Sequence, residues 1–355
     1  LDRGVEGLPS SAQMAEFKTN GRALTRPEIS VLMAWTKIVL FDDLVASDLP
    51  DDPYFMVTLR GYFPDALGQY ENIMEAHRLK REIISTVLAN RIVDIAGPVF
   101  LLRLREQTGA SNAKIVEAFE AAYALLRAAD LQTACDALDN KVPAQRQIAL
   151  QSLLGEALAK LTKGILSANM SGGVSAQIDA LSPYEEALRA TSSEDLSAYE
   201  RAVHKRRINQ LARDDVPEDL AERFATSRLV AIAPLLSSLS EDANCTPAEA
   251  IGAYLTVGDA LSVDRLRHVA VQALLDLPHW DRLALRGLIR ELELLQAETA
   301  VLALAAPSIE AWLEAVKSSR DILIADLKKY TASKPSFAQF ALATDSLRSF
   351  VKSQP

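Results

Sequence analysis

The sequence predicts an all-α fold: an irregular multi-helix bundle divided into two helical subdomains. Ala and Leu are abundant in a chain that is 49% hydrophobic but only 6% aromatic. That balance favours helix, because Ala loses no side-chain entropy there and Leu loses little. Apolar residues recur at helical spacing between Pro, Gly and Ser breaks, and convincing strand alternation is absent. With 355 residues and 24% charged side chains the chain is long and mixed enough to bury a sizeable core.

The first strong helix signal is Thr25-Arg26-Pro27-Glu28. The Thr hydroxyl can accept an N–H bond from the first turn, Glu28 can reach back, and Pro27 is tolerated at a helix start. From Ile29 to Val45 the apolar residues point in nearly every direction, which predicts a helix covered by neighbours on most sides. Asp48-Leu49-Pro50-Asp51-Asp52-Pro53 breaks it, and two shorter helices interrupted at Pro64 should follow. A longer helix is expected from about Glu75 through Ile95, ending at Gly97-Pro98, then one over Val99 to Thr108 closed by Gly109. Ser111 should cap a helix reaching about Ala128, and Pro143 should open one ending near Ser167.

Met170-Ser171-Gly172-Gly173-Val174-Ser175 reads as a linker. The expected organisation is therefore a connection over 1–24, a motif-rich subdomain over 25–169 and a second subdomain over 170–355. Helices in the latter are expected near 192–213, 217–238, 247–255, 263–274, 279–305, 308–330 and 337–351. No fixed helical repeat is evident, so a regular solenoid is not expected.

A net charge of −9 disfavours nucleic acid and anionic lipid as partners. Cys135 and Cys245 are far apart in sequence and suggest no disulfide framework, so a reducing cytoplasm is expected. Leu1-Asp2-Arg3 resembles neither a signal peptide nor an ordinary start and reads as a point inside a longer chain. The apolar runs are too short to span a bilayer.

Candidate chemistry is sparse. None of the 14 glycines supplies a G-x-G-x-x-G loop, so no cofactor is expected in this segment. His77, His204, His268 and His279 are isolated from one another and from the cysteines, so no metal site is expected. Asp42-Asp43-Leu44-Val45-Ala46-Ser47-Asp48 has the D-D-x-x-x-x-D spacing with which all-α prenyl-diphosphate enzymes hold magnesium, and Asp214-Asp215-Val216-Pro217-Glu218 is the conceivable partner. Asp48 lies beyond the expected helix end and Pro217 interrupts the second cluster, which favours capping and solvated carboxylates instead. Lys37 is the only cation between Ile29 and Val45. A desolvated lysine can act as nucleophile or base, but packing of its stem with its ammonium on a carboxylate is the commoner outcome. His77, Arg78 and Arg81 are expected to open the long helix, with Asn90 on the face of Leu79, Ile83 and Thr86.

Leu24-Thr25-Arg26-Pro27-Glu28, Val31-Leu32, Lys37-Ile38 and Ser47-Asp48-Leu49-Pro50-Asp51-Asp52-Pro53-Tyr54 resemble a signature of large bacterial NAD-specific glutamate dehydrogenases. Tyr62-Phe63-Pro64, His77-Arg78-Leu79, Arg81-Glu82-Ile83-Ile84, Leu88-Ala89-Asn90, Gly97-Pro98 and Glu106-Gln107-Thr108-Gly109-Ala110-Ser111 continue it in order. Trp280-Asp281-Arg282-Leu283, Leu285-Arg286 and Glu291-Leu292 are similar to a weaker family pattern. The resemblance implies the C-terminal region of an enzyme that deaminates L-glutamate with NAD, whose catalytic and nucleotide-binding residues precede this segment. A docking and structural role toward that catalytic domain, in a homo-oligomer, is then expected. Lys37, Asp48, Asp51, Asp52, Tyr54, His77, Arg78, Arg81 and Asn90 are the candidate polar residues for it. The alternative is a regulatory module binding a small effector.

Overall fold

The computed structural model describes residues 8–192, 194, 196–212, 215–274, 276–331 and 335–354. Among them there is no strand, and the helices are, in order, α1 (Ser11–Thr19), α2 (Arg26–Val45), α3 (Met56–Tyr62), α4 (Glu71–Glu75), α5 (Lys80–Ala96), α6 (Phe100–Thr108), α7 (Asn112–Leu125), α8 (Ala128–Asp136), α9 (Ala144–Ser167), α10 (Gly173–Ala190), α11 (Ala198–Ala212), α12 (Glu218–Val230), α13 (Ala233–Ala243), α14 (Pro247–Ala260), α15 (Val263–Ala273), α16 (His279–Leu304), α17 (Ile309–Ala315), α18 (Lys317–Tyr330) and α19 (Phe337–Ser353). Short 3-10 turns occupy Leu49–Asp51, Pro53–Phe55 and Asp65–Tyr70. The fold class is all-α, as the composition and periodicity predict.

Compactness divides the chain differently from a cut at residue 170. One unit holds the described residues up to Ala124 together with Gln151–Ile178, and the other holds Leu125–Leu150 with the residues from Asp179 onward. The glycine-rich segment is not a linker: Gly172 and Gly173 take φ of +102° and +84°, and α10 starts at once. Residues 1–7 of the expected N-terminal connection, and Asp214 of the second acidic cluster, lie outside the described residues.

In the first unit α2 packs along α5, and α3 and the Leu49–Asp51 turn close on α5 as well. Ile84, Leu88 and Ile92 of α5 are fully buried with Leu40 and Leu44 of α2, Phe55 and Leu59. Each such side chain contributes about 1.5–3 kcal/mol by leaving water. Phe100 and Phe119 meet edge to face at 5.7 Å between ring centres, a geometry favoured by the ring quadrupoles. The long helix begins at Lys80 rather than near Glu75, since Ala76 to Leu79 form a turn after α4.

The expectation that α2 is covered on most sides is wrong. Leu40 and Leu44 are its only buried residues, while Ile29, Ile38 and Val39 are exposed. At about 100° per residue Val31, Trp35, Ile38 and Val39 lie opposite the Leu40–Leu44 face. Among the described residues no neighbour encloses this apolar outer face, on which Val31 and Trp35 are half-buried and Ile38 and Val39 exposed.

In the second unit α16 is the central helix, with α13, α14, α15, α17 and α19 packed on it and α18 behind α19. Its Ala297, Ala300 and Ala303 are buried, and such small side chains let neighbouring helices approach closely. The helix end expected near Ala128 and the gap expected before Val263 both fall at left-handed residues, and α8 is an unexpected helix directly after the first. Arg127 at φ +51° separates α7 from α8, and Ser262 at φ +61° separates α14 from α15.

Glycine has opposite meanings at two positions of α14. A Cβ on Gly258 would lie 2.5 Å from Asp264 Oδ2 and closer still to Gln296 Nε2, whereas one on Gly252 would meet nothing within 4 Å. Gly258→Ala is expected to destabilise the chain by about 1–3 kcal/mol through overpacking. Gly252→Ala is expected to stabilise it by about 0.5–1 kcal/mol through helix propensity. Urea denaturation of the two variants should move the midpoint in opposite directions.

Candidate functional site

The predicted polar residues converge where α2 ends and α5 begins. The last carbonyls of α2 have no partner within the helix, and Arg81 fills that role from the first turn of α5. Its Nη2 donates to Val45 O at 2.8 Å and Ser47 O at 2.7 Å, while Nη1 pairs with the Asp51 carboxylate. One planar guanidinium thereby fastens α2, the Leu49–Asp51 turn and α5.

Asp52 works beside it as a double cap. Its Oδ1 accepts from Tyr54 N at 2.9 Å, and its Oδ2 accepts from Val174 N at 3.3 Å. A Cβ on Gly173 would stand 2.8 Å from that Oδ2, so only glycine lets the start of α10 come this close. Tyr54 is half-buried, and burial first, then the nearby Glu120 carboxylate, push its phenol up.

The remaining predicted residues scatter. Lys37 pairs with Asp94 at 2.6 Å, in partial exposure, which is the packing outcome and not a desolvated base. Asp48 is exposed and makes no capping bond. His77 does not open α5: it sits in the preceding turn, its Nδ1 accepts from Leu79 N at 3.2 Å, and its ring lies 5.6 Å from Phe63. Arg78 and Asn90 are exposed, Asn90 with Thr86 and Leu79 on the outer side of α5. Asp43 accepts from Asn112 Nδ2 at 2.6 Å. Among the described residues no group of three or more His, Cys, Asp or Glu is placed to hold a metal ion.

Two buried charge clusters went unnoticed in the sequence. In the first unit Glu120 of α7 is fully buried and paired with Arg91 of α5, whose guanidinium stacks 4.9 Å from the Tyr123 ring centre. Burial outweighs Arg91 and pushes the Glu120 carboxyl up to about 7. Its Oε1 has no hydrogen-bond partner. In the second unit Arg267 of α15 donates to Asp264 Oδ1 at 2.5 Å and Tyr254 OH at 3.0 Å, and it lies 3.5 Å from Glu293 and 3.7 Å from Glu200. Arg228 pairs with the same Glu200, and Gln296 Nε2 donates to Tyr254 O at 2.8 Å. Burial raises the Asp264 carboxyl, with Arg267 opposing, while burial of Arg267 is outweighed by its anionic and phenolic neighbours. Four helices thus meet on one arginine, and α12 joins them through the Arg228–Glu200 pair. Apart from Asp264 and Arg267, an ordinary i,i+3 pair, the residues are far apart in sequence, so no sequence signal announces the clusters.

Neither cluster sets a nucleophile beside a base in an open cleft. What they do chemically is fix helix against helix through charge-assisted bonds. No single helix among the described residues is long and apolar enough to cross a membrane. Exposed large apolar side chains, by contrast, gather early in the chain: Ile29, Ile38, Val39, Val57, Tyr62 and Ile73 are among them.

Residues 21–349 match the family model described as "Glutamate dehydrogenase, C-terminal". The chain belongs to that family. It is 36% identical over 228 residues to the NAD-specific glutamate dehydrogenase of Halomonas elongata, covering 64% of this chain and 14% of that protein. Against the NAD-specific glutamate dehydrogenase of Pseudomonas aeruginosa it is 34% identical over 266 residues, 74% of this chain and 16% of that one. Against that of Mycobacterium tuberculosis it is 28% identical over 288 residues, 79% and 17%. The matched part of the chain thus spans no more than 17% of these relatives.

Within this glutamate dehydrogenase C-terminal fold, Arg81→Met should cost about 2 kcal/mol, because it removes charge-assisted bonds to two helix-end carbonyls and a carboxylate. Arg81→Lys should recover only part of the loss, as read by chemical denaturation. Glu120 gives a pH signature. Its folded value near 7 lies above its ordinary 4.5, so the folded state binds the extra proton and stability falls as pH rises between those values. Denaturation midpoints measured across that window should decline for the unaltered chain, and Glu120→Gln should flatten the decline.

Proposed function

We propose that this chain is a non-catalytic C-terminal helical portion of a large NAD-dependent glutamate dehydrogenase, serving structural support and docking. The whole enzyme would convert L-glutamate, NAD and water to 2-oxoglutarate, ammonia and NADH, with NAD and the reacting groups held in other parts of the polypeptide. The partners of this segment are then the catalytic domain of the same polypeptide and further copies in a homo-oligomer, in the cytoplasm.

The observation that carries the docking reading is the outer face of α2. Ile38 and Val39 are 47% and 49% exposed on a helix whose opposite side is already packed on α5. Covering the exposed half of either side chain would add about 1 kcal/mol, a gain that the chain alone leaves unused. Val57, at 74% exposure, and Ile73, at 62%, extend the apolar character into α3 and α4. The names of the curated relatives support the identity of the parent, and the share of their length left uncovered supplies the surface to be met.

The test is a paired substitution, Ile38→Glu with Val39→Lys, made both in the 355-residue chain and in the full polypeptide. The chain alone should change by no more than about 0.5 kcal/mol, because surface substitutions remove no packing. The full polypeptide should lose assembly by sedimentation and lose glutamate-dependent NADH formation. Unchanged assembly and turnover would overturn the docking role.

A further inference from the structure

The first half of α16, in the second unit, carries a different exposed surface. Trp280 is 76% exposed and Leu283 is 47% exposed, while Ala284 and Gly287 are exposed as well. The spacing 280, 283, 284, 287 places all four on one stripe of a helix. Leu285, pointing the other way, is fully buried and anchors this half of α16 to its unit. A Cβ on Gly287 would meet nothing within 4 Å, so the stripe is large at one end and open down to the backbone at the other.

Charge tells the two borders apart. At about 100° per residue Arg286 lies along one side of the stripe and Asp281 along the other, while Arg282 falls toward the back of the helix. Arg282 is folded back, donating to Leu277 O at 3.0 Å. Arg286 is exposed and has no ion-pair partner among the described residues. The arginine-bordered tryptophan stands out on a chain of net charge −9. Exposed Trp and Arg are the side chains that dominate interface energetics when they become enclosed.

We propose that the Trp280–Gly287 stripe is a second docking surface, whose occupant is an acidic-rimmed apolar pocket on the part of the polypeptide outside these 355 residues. Three arguments select that occupant. Arg286 calls for a carboxylate, which supplies register and specificity. A second copy placed antiparallel on the same stripe would bring the two arginine borders to the same side, like charge against like. The curated relatives extend far beyond the region matched here, which covers 14% to 17% of their length, so a large folded surface is available. The inference rests on the reading of the chain as part of a longer glutamate dehydrogenase and assigns a surface separate from α2.

Hydroxyl-radical footprinting of the 355-residue chain and of the full polypeptide tests it. Trp280 should be labelled strongly in the chain and several-fold less in the full polypeptide, at a level independent of protein concentration. Arg286→Glu in the full polypeptide should restore labelling, and Arg286→Lys should leave most of the protection. Melting temperatures of the chain variants should stay unchanged, which separates docking from folding. Equal labelling of Trp280 in both forms, with Ile38 and Val39 protected in the longer one, would sink this surface and leave the α2 reading standing. Equal labelling at both places would sink both, and protection that rises with concentration would assign the stripe to a second copy and overturn the proposal.

Discussion

Helix ends are the constraint around which this chain is organised. A fold of helices alone has no sheet edge to absorb the carbonyls and amides left open wherever a helix stops, and buried orphans of that kind cost about 1–3 kcal/mol each. The chain meets the constraint with side chains placed at the breaks. Arg81 closes the end of α2 while beginning α5, and Asp52 caps a 3-10 turn and the start of α10 with two oxygens of one carboxylate. Thr25 with Glu28 and Thr246 with Glu249 do the same at exposed helix starts through reciprocal bonds. In each case the capping bonds, local or remote, determine the direction in which the chain leaves the break. The helices then bury the faces they do because their ends are already fixed.

Within each unit a buried arginine performs the corresponding task between helix bodies. A carboxylate as enclosed as Glu120 or Asp264 is costly unless a cation accompanies it, and even then hydrophobic replacements often give equal stability. What Arg91 and Arg267 add is geometric. A guanidinium that must satisfy Asp264, Tyr254 and Glu293 together accepts one arrangement of α14, α15 and α16. Gly258 enforces the same arrangement from the other side, because no side chain fits between α14 and the Asp264 carboxylate. Alanine-rich interfaces slide easily, and polar bonds of this kind pin their register.

Much of this was legible from residue order. The capping box at Thr25, the stop at Gly97-Pro98, the left-handed Gly109 and the start after Pro143 are local signals with local causes, and the helices obey them. Illegible features have non-local causes. α8 starts straight after left-handed Arg127, with no side-chain cap and no opening signal in Leu126-Arg127-Ala128 to announce it. The segment Met170 to Ser175 has the composition of a linker, yet Asp52, more than a hundred residues earlier, holds it as a helix start. Of the candidate polar residues, Asp51, Asp52 and Arg81 meet at one joint because the motif that contains them folds back on α5. Arg78 and Asn90 stay on the surface, where periodicity alone cannot say what they face.

The misreading of α2 is the most informative of these differences. Its sequence is apolar nearly all the way round, and burial on most sides is what such a helix requires of a self-sufficient protein. The chain covers one side only. A pattern suited to enclosure, found half exposed, is the observation on which the proposed docking of this helix rests. The curated relatives continue well beyond the matched region, so under the proposed docking a covering surface would be at hand. The same logic separates the two exposed surfaces by character. The face of α2 is broadly aliphatic, while the stripe on α16 sets an exposed tryptophan beside an arginine that has no ion-pair partner among the described residues. If both proposed surfaces are engaged, the segment would be held at two places, one on each unit, by contacts of different chemistry.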